Sequence, residues 1–277
     1  MSRKFDGVLT ALGMARRGFF IPCRGAVELP APGSLPPYAA LEAVMAARES
    51  AFAAHLAVIE GFAAALERLG GEPPPAPRWT QDWFPRLDAA AAYAMVRCHQ
   101  PRRVVEVGSG HSTRFLARAV ADAGCATRIT AIDPAPRASL AGLDIEIIRD
   151  TVQNAGEAPF SELAANDLLL IDSSHVLMPG TDVDHLANRV LPELPAGVRV
   201  HFHDIFLPHD YPAEWGWRGY NEQLAIATLI ASGAYAVEFA SAYLVARRPE
   251  WLSRGVLGRL PLVTGARESS LWLRKLA

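Results

Sequence analysis

Ionisable side chains cluster after two apolar segments of this 277-residue chain. Asp172 and His175 follow the segment DLLLI, and His203 and Asp204 follow the segment VRVHF. A histidine beside carboxylates can remove the proton of a hydroxyl group near neutral pH. Two carboxylates can also hold Mg²⁺, which prefers one or two carboxylates together with water and substrate oxygens. The residue types therefore predict hydroxyl chemistry with His175 or His203 as general base, a metal site at Asp172 and Asp204, or both.

A glycine-rich turn and a later acid form a second candidate site. Residues 104–107 are an apolar, β-branched run, and Gly108 and Gly110 flank a serine directly after it. Glycine lets a ligand approach the backbone closely, and the helix predicted next begins with free N–H groups. A second apolar run, 129–132, is followed by Asp133, whose carboxylate can accept both hydroxyls of a ribose. The pattern predicts a right-handed β-α-β unit with a nucleotide-sized crevice.

The turn departs from the dinucleotide-binding pattern G-x-G-x-x-G. That pattern would place glycine at position 113, where this chain has Thr113 with the bulky Arg114 beside it. A pyrophosphate therefore gains little from this loop. A nucleoside with a cationic tail and no phosphate fits better, and Glu106 is expected to add negative charge inside the turn.

The sequences EVGSG and IDP around these residues resemble the first two cofactor motifs of class I S-adenosylmethionine-dependent methyltransferases. The resemblance implies S-adenosyl-L-methionine as cofactor, with the ribose on Asp133 and the methionine side at the glycine turn. It also implies that the loop after the third strand flanks the adenine, where Gln153 or Asp150 binds the amino group or is a solvated loop residue. The predicted cofactor-binding residues are Glu106, Gly108, Ser109, Gly110, Ser112, Asp133, Gln153 and Asp172.

The acids and histidines at the strand ends resemble the site of catechol- and caffeoyl-type O-methyltransferases. In that family an aspartate ends the fourth strand and binds the metal, and a lysine three residues later is the base. Asp172 matches the aspartate, and His175 stands at the lysine position. The family's second and third ligands are an adjacent acid and amide, whereas this chain has His203 and Asp204. The resemblance therefore leaves Mg²⁺ open.

The predicted catalytic residues are His175, His203 and Asp204, with His175 the first choice of base. Asp172 and Asp204 either bind Mg²⁺ or orient the two histidines. A structural alternative is a hydrogen-bonded belt that anchors the long loop 206–219. The surrounding sequence also resembles a bacterial branch of class I methyltransferases with relatives among sugar- and antibiotic-tailoring enzymes.

The succession of apolar runs predicts an α/β protein. The resemblance, over residues 100–277, implies a Rossmann-like, seven-stranded, doubly wound sheet whose last strand is antiparallel. We expect an N-terminal helical cap with a Pro-rich linker over residues 1–78 and a methyltransferase domain over 79–277. A short helix is predicted over 137–141 and a strand over 235–245.

The segment from Tyr38 to Leu69 is predicted as one long helix with an apolar seam. Arg48 interrupts that seam once. Its apolar residues either pack as a cap on the chain itself or form the contact of a homodimer.

Composition limits the class of protein. A net charge of −2 offers no basic excess for a nucleic-acid backbone. Three widely spaced cysteines are typical of reduced thiols in a cytoplasmic protein, and no apolar run reaches the ~20 residues of a membrane span.

The sequence predicts a methyltransferase that O-methylates a small-molecule acceptor, such as a sugar or a secondary metabolite. The alternatives are a nicotinamide (NAD-type) oxidoreductase, a metal-dependent relative with another reaction, and a non-catalytic binding or assembly module on the same fold.

Overall fold

The structure, a computed structural model, describes residues 3–277. Seven strands form one sheet: β1 Arg103–Val107, β2 Arg128–Ile132, β3 Glu146–Ile148, β4 Leu168–Ile171, β5 Arg199–Phe202, β6 Tyr235–Ala240 and β7 Leu271–Lys275. Their order is β3-β2-β1-β4-β5-β7-β6. Strand β7 is antiparallel to both of its neighbours, and the pairs among β1 to β5 are parallel. The predicted Rossmann-like sheet with an antiparallel last strand is confirmed.

Helices cover the sheet and its N-terminal side. They are α1 Arg3–Ala11, α2 Ala39–Ala46, α3 Glu49–Gly61, α4 Ala63–Glu67, α5 Arg86–His99, α6 His111–Ala123, α7 Val152–Ala155, α8 Ala158–Ser161, α9 Asp182–His185, α10 Glu222–Ala231, α11 Ser241–Arg247, α12 Pro249–Leu252 and α13 Gly255–Arg259. Helix α6 follows β1 at once, as the glycine turn predicts. None of the helices described in residues 3–277 is long and apolar enough to cross a bilayer.

The strand register brings the candidate residues to one edge. Val107, the last residue of β1, pairs with Ile132 of β2 on one side and with Ile171 of β4 on the other. Ile171 in turn pairs with Phe202, the last residue of β5. The residues that follow these strands therefore meet at the carboxyl edge of the sheet, where the strand order reverses between β1 and β4 and ligands bind in such folds.

The predicted long helix over 38–69 is wrong, because the chain breaks it twice. Arg48 and Phe62 leave helical geometry, with φ/ψ of −103°/2° and −100°/12°, and separate α2, α3 and α4. The side chain of Arg48 is half-buried, and its Nε donates to the carbonyl of Val237 at 2.8 Å.

The seam of this segment packs inward. Met45, Phe52, Ile59 and Leu66 are fully buried in the same core as the sheet, and the ring of Phe52 lies 6.1 Å from that of Phe239. Burial of these side chains against the chain's own β6 explains the seam as a cap contact. A homodimer through this segment would have to use its outer face.

Two smaller predictions are wrong for local reasons. Residues 137–141 form bends and a turn and no helix, and the guanidinium of Arg114 donates to the carbonyl of Ser139 at 2.8 Å within this irregular path. The predicted strand over 235–245 ends at Ala240, after which α11 begins. There the backbone N–H of Ser241 donates to the carbonyl of Ser270 at 2.8 Å.

Candidate functional site

Gly108 joins the ends of β1 and β4 so closely that only glycine fits. Its φ is +81°, in the left-handed region that favours glycine. A Cβ at this position would lie 1.8 Å from the carbonyl oxygen of Asp172. The turn therefore presents bare backbone to the space beyond the strand ends.

Glu106 stabilises this turn through hydrogen bonds to the first turn of α6. Its carboxyl group is buried and accepts hydrogen bonds from the Ser112 hydroxyl at 2.6 Å and the Thr113 hydroxyl at 2.5 Å. Thr113 Oγ1 also accepts the backbone N–H of Gly110 at 2.9 Å, which ties the turn to the first turn of α6. Burial raises the pKa of Glu106 to about 8. The negative charge expected here is therefore largely absent at neutral pH.

Asp133 lies at the end of β2 beside the turn. Its Oδ2 accepts the backbone N–H of Ser109 at 2.6 Å and the Ser109 hydroxyl at 3.0 Å, and its Oδ1 accepts the N–H of Ala135 at 2.7 Å. A carboxylate offers about four acceptor positions, so about one stays open. Rotation of the Ser109 hydroxyl frees a second, which is what a ribose diol requires.

A cleft of about 690 Å³ opens at these strand ends. Five of the predicted cofactor-binding residues line it: Gly108, Ser109, Asp133, Gln153 and Asp172. Glu106, Gly110 and Ser112 are not on its wall, and the contacts described above place them behind the turn. Gly18 and Phe19 of the N-terminal segment also line the cleft, which no pattern in the sequence predicts.

The far end of the cleft lies beside the loop after β3. Gln153 donates from Nε2 to the carbonyl of Gly180 at 3.0 Å. The carbonyl oxygen of its side chain has no hydrogen bond to the described residues. Asp150 instead accepts from Asn154 at 2.8 Å and from the N–H of Thr151 at 2.7 Å, and it is absent from the cleft wall. Of the two residues predicted for adenine, the structure places only Gln153 on the cleft.

His175 is buried between three carboxylates. Its Nδ1 lies 2.9 Å from Oε2 of Glu222, and its Nε2 lies 3.2 Å from Oδ1 of Asp172 and 3.7 Å from Oδ2 of Asp204. Burial alone would lower the pKa of His175, but the hydrogen bonds to Asp172 and Glu222 outweigh it and raise the pKa well above 6.5. Both ring nitrogens are engaged, so His175 has no free nitrogen for an acceptor hydroxyl.

Backbone hydrogen bonds connect His175 to the start of α10. Its carbonyl accepts the N–H groups of Asn221 and Glu222 at 3.0 and 3.2 Å. The side chain of Asn221 binds both the N–H and the carbonyl of Leu177. The start of α10 is thus fixed to the segment after β4, which fits the belt interpretation of His175.

His203 faces a smaller cavity of about 180 Å³ that lies next to the cleft. Its Nε2 lies 3.6 Å from Oδ1 of Asp204, and its Nδ1 has no hydrogen bond to the described residues. Burial lowers the pKa of His203, but the charges of Asp204 and Asp172 outweigh it and raise the pKa. The structure therefore places a buried histidine, with one ring nitrogen unpartnered among the described residues, at the wall of this cavity.

Asp172 and Asp204 do not form a site that fits Mg²⁺. Within the described part of the chain, no three His, Cys, Asp or Glu side chains are grouped to hold one ion. The Nε2 of His175 lies between the two carboxylates, where a bridging cation would be held. Asp204 Oδ1 is also used, since it accepts the Ser269 hydroxyl at 3.1 Å.

Two arginines and one glutamate belong to the site although sequence reasoning missed them. Arg137 and Arg218 line both the cleft and the smaller cavity, together with Asp172. Glu222 is the partner of His175 Nδ1. The only signal for Arg218 was its position in a loop rich in tryptophan, because its stacking depends on tertiary contacts.

The fold and the site define a Rossmann-like protein with a nucleoside-sized cleft at the strand ends. Residues 105–205 match the model of a family described as a methyltransferase domain. The match spans the glycine turn, Asp133 and the residues after β4 and β5. The similarity to class I S-adenosylmethionine-dependent methyltransferases is thereby confirmed. No curated protein matches the chain.

Solved structures of low sequence identity also resemble this chain. One is the SAH-bound methyltransferase PaMTH1 of Podospora anserina, at 16% identity and TM-score 0.46, over 78% of this chain and 94% of that one. Another is the O-methyltransferase TomG of Streptomyces achromogenes, involved in tomaymycin synthesis, in complex with SAM. It has 16% identity and TM-score 0.41, over 79% of this chain and 90% of that one.

Proposed function

We propose that this protein is an S-adenosylmethionine-dependent O-methyltransferase that acts on a small hydroxylated molecule. The observation that carries the proposal is the bare backbone at Gly108, beside the Asp133 carboxylate, at the wall of a 690 Å³ cleft. The match of residues 105–205 to a methyltransferase domain supports the same cofactor.

The cleft residues divide the work of holding the cofactor. Asp133 accepts the ribose hydroxyls, and the backbone of Gly108 and Ser109 gives room for the amino-acid side. Gln153 directs its side-chain oxygen to the amino group of the adenine. When bound, S-adenosylmethionine supplies a methyl group on a positively charged sulfur, which an oxygen attacks in line.

His203 is the base in this proposal. It lies on the cavity next to the cleft, with one ring nitrogen unpartnered among the described residues. It takes the proton of the acceptor hydroxyl as the oxygen–methyl bond forms and the sulfur–methyl bond breaks. Asp204, 3.6 Å away, stabilises the imidazolium that results. His175 positions Asp172 and Asp204.

The experiment is a methyl-transfer assay with S-adenosylmethionine labelled in its methyl group. The acceptor panel pairs each hydroxylated compound, sugar or phenol, with its amine analogue. Labelled product from hydroxyl members alone supports the proposal. Transfer to the amine members alone would mean that the enzyme is an N-methyltransferase. Stable binding of NAD, without binding of the labelled cofactor, would mean that the protein is not a methyltransferase.

A further inference from the structure

Arg137 and Arg218 lie where the cleft meets the smaller cavity, and the guanidinium of each lies over an indole ring. The guanidinium carbon of Arg137 is 4.6 Å from the ring centre of Trp83, and that of Arg218 is 4.0 Å from Trp215. Stacking fixes the plane of a guanidinium and leaves its edge of N–H donors available. The two arginines are thus held as oriented donors at the junction.

Neither guanidinium is neutralised by a carboxylate of the described residues. No carboxylate oxygen of the residues that the structure describes forms an ion pair with Arg137 or Arg218, whereas Arg267 on the same cavity is paired with Glu214. Arg218 donates once, to the Tyr220 hydroxyl at 3.1 Å, and its buried Nε has no partner in the described chain.

The acidic side chains that line the cavity do not form ion pairs with these two arginines. Asp82, Asp172 and Asp204 also line it. Asp172 and Asp204 face the ring nitrogens of His175 and His203 and form no ion pair with either arginine. The two guanidinium groups therefore have no ion-pair partner among the described residues, and a bidentate anion is the ligand that such groups match best.

We propose that Arg137 and Arg218 bind an anionic group of the acceptor, a carboxylate or a phosphate. The inference rests on the proposed function, because the acceptor would lie beside the cofactor with its hydroxyl toward His203. The class of substrate is therefore a hydroxylated acid or a phosphorylated hydroxyl compound. The carboxylate of the cofactor's own amino-acid part is the competing source of the same chemistry.

Inorganic phosphate is the first probe, titrated calorimetrically into the protein with and without S-adenosylhomocysteine. The variant Arg137→Gln/Arg218→Gln should weaken phosphate binding by at least about tenfold, because it removes charge-assisted hydrogen bonds. The control Arg254→Gln, at an exposed arginine far from the cleft wall, should bind as the native protein does. Equal phosphate binding in the native protein and the double variant would overturn the proposal.

A second arm separates the two sources of the anion. S-adenosylhomocysteine carries the amino-acid carboxylate, and 5′-methylthioadenosine lacks it. We expect the double variant to keep the native ratio of the two nucleoside affinities. Selective loss of S-adenosylhomocysteine binding would assign the arginines to the cofactor and overturn the acceptor assignment. Arg137→Lys, which keeps the charge and loses the planar fork, guards against misfolding and should give an intermediate loss.

The two proposals can fail separately. If S-adenosylhomocysteine does not bind but phosphate still requires the arginine pair, the cofactor assignment is wrong and the anion site stands. If S-adenosylhomocysteine binds and phosphate ignores the pair, the anion site is wrong and the methyltransferase assignment stands.

Discussion

The Oδ2 atom of Asp133 accepts two hydrogen bonds from Ser109, from its backbone N–H at 2.6 Å and its hydroxyl at 3.0 Å. These bonds connect the end of β2 to the glycine turn after β1. They fix the carboxylate before any ligand arrives, and pre-ordering of this kind lowers the entropic cost of binding. The acid and the turn therefore act as one unit.

Replacement of Asp133 by asparagine should weaken binding of S-adenosylhomocysteine by roughly 10- to 100-fold, since charged hydrogen bonds contribute about 1.5–3 kcal/mol. Asparagine keeps an oxygen that can accept the Ser109 N–H, so the turn should hold its shape. Isothermal titration calorimetry gives the two dissociation constants. Asp144→Asn, at an exposed acid away from the cleft, is the matched control, and an unchanged affinity in Asp133→Asn would refute the ribose contact.

Gly108→Ala should destabilise the fold more than Gly124→Ala does. Both glycines have positive φ, +81° and +62°, and each alanine costs about 1–2 kcal/mol for the left-handed conformation. Only Gly108 adds a clash, with the Asp172 carbonyl, since nothing lies within 4 Å of a Cβ at Gly124. Overpacking of this kind costs about 1–3 kcal/mol more.

Urea unfolding measures the free energy of unfolding of both glycine variants. Equal losses of unfolding free energy in the two variants would contradict the close approach of Gly108 to the Asp172 carbonyl. A loss of nucleoside binding in Gly108→Ala alone is expected as well, because the clash displaces the wall of the cleft.

Glu106 should make the protein less stable as the pH rises. Its pKa is about 8 in the folded chain, because of burial, against an ordinary value of 4.5. The folded state then binds more protons than the unfolded state between these values, so the free energy of unfolding falls with pH across that window, by at most about 1.4 kcal/mol per pH unit.

The variant Glu106→Gln removes this proton equilibrium and should flatten the dependence. Melting temperatures of the native protein and the variant, measured from pH 5 to 9, should diverge as the pH rises. Glu157→Gln, at an exposed glutamate, should keep the native slope. Parallel curves for the native protein and Glu106→Gln would show that the carboxyl is not held in its neutral form.

His203→Asn should lower kcat by about 10²–10⁴-fold for any acceptor found in the transfer assay, as expected for loss of a general base. Because Asp204 and Asp172 outweigh burial and raise the pKa of His203 above 6.5, the native rate should rise with pH through a value above 6.5. The variant should lose that rise and keep its affinity for S-adenosylhomocysteine. His99→Asn is the control, and a retained pH profile in His203→Asn would exclude His203 as the base.

The sheet could be read from the sequence because its strands are continuous apolar runs followed by polar residues. Val107, Ile132, Ile171 and Phe202 end those runs, and register places them together. The breaks at Arg48 and Phe62 could not be read, because the apolar spacing resumes after Arg48 and continues through Phe62. At the first break, Arg48 donates a hydrogen bond to the carbonyl of Val237, which lies 189 residues away in the sequence.

The sequence predicted which residues form the site better than it predicted the contacts between them. The spacing of Gly108 and Asp133 indicated a nucleoside site on one edge. The engagement of both nitrogens of His175 depends on Glu222, which lies 47 residues later and reaches His175 only through the folded loop. The change of preferred base from His175 to His203 follows from that contact.

Calorimetric titration of the native protein with S-adenosylhomocysteine, and in parallel with NAD, tests the cofactor assignment most directly. We predict one exothermic site per chain for S-adenosylhomocysteine, with a dissociation constant in the micromolar range, and no heat of binding with NAD. Absence of binding to S-adenosylhomocysteine, or saturable binding of NAD alone, would contradict the assignment of this cleft.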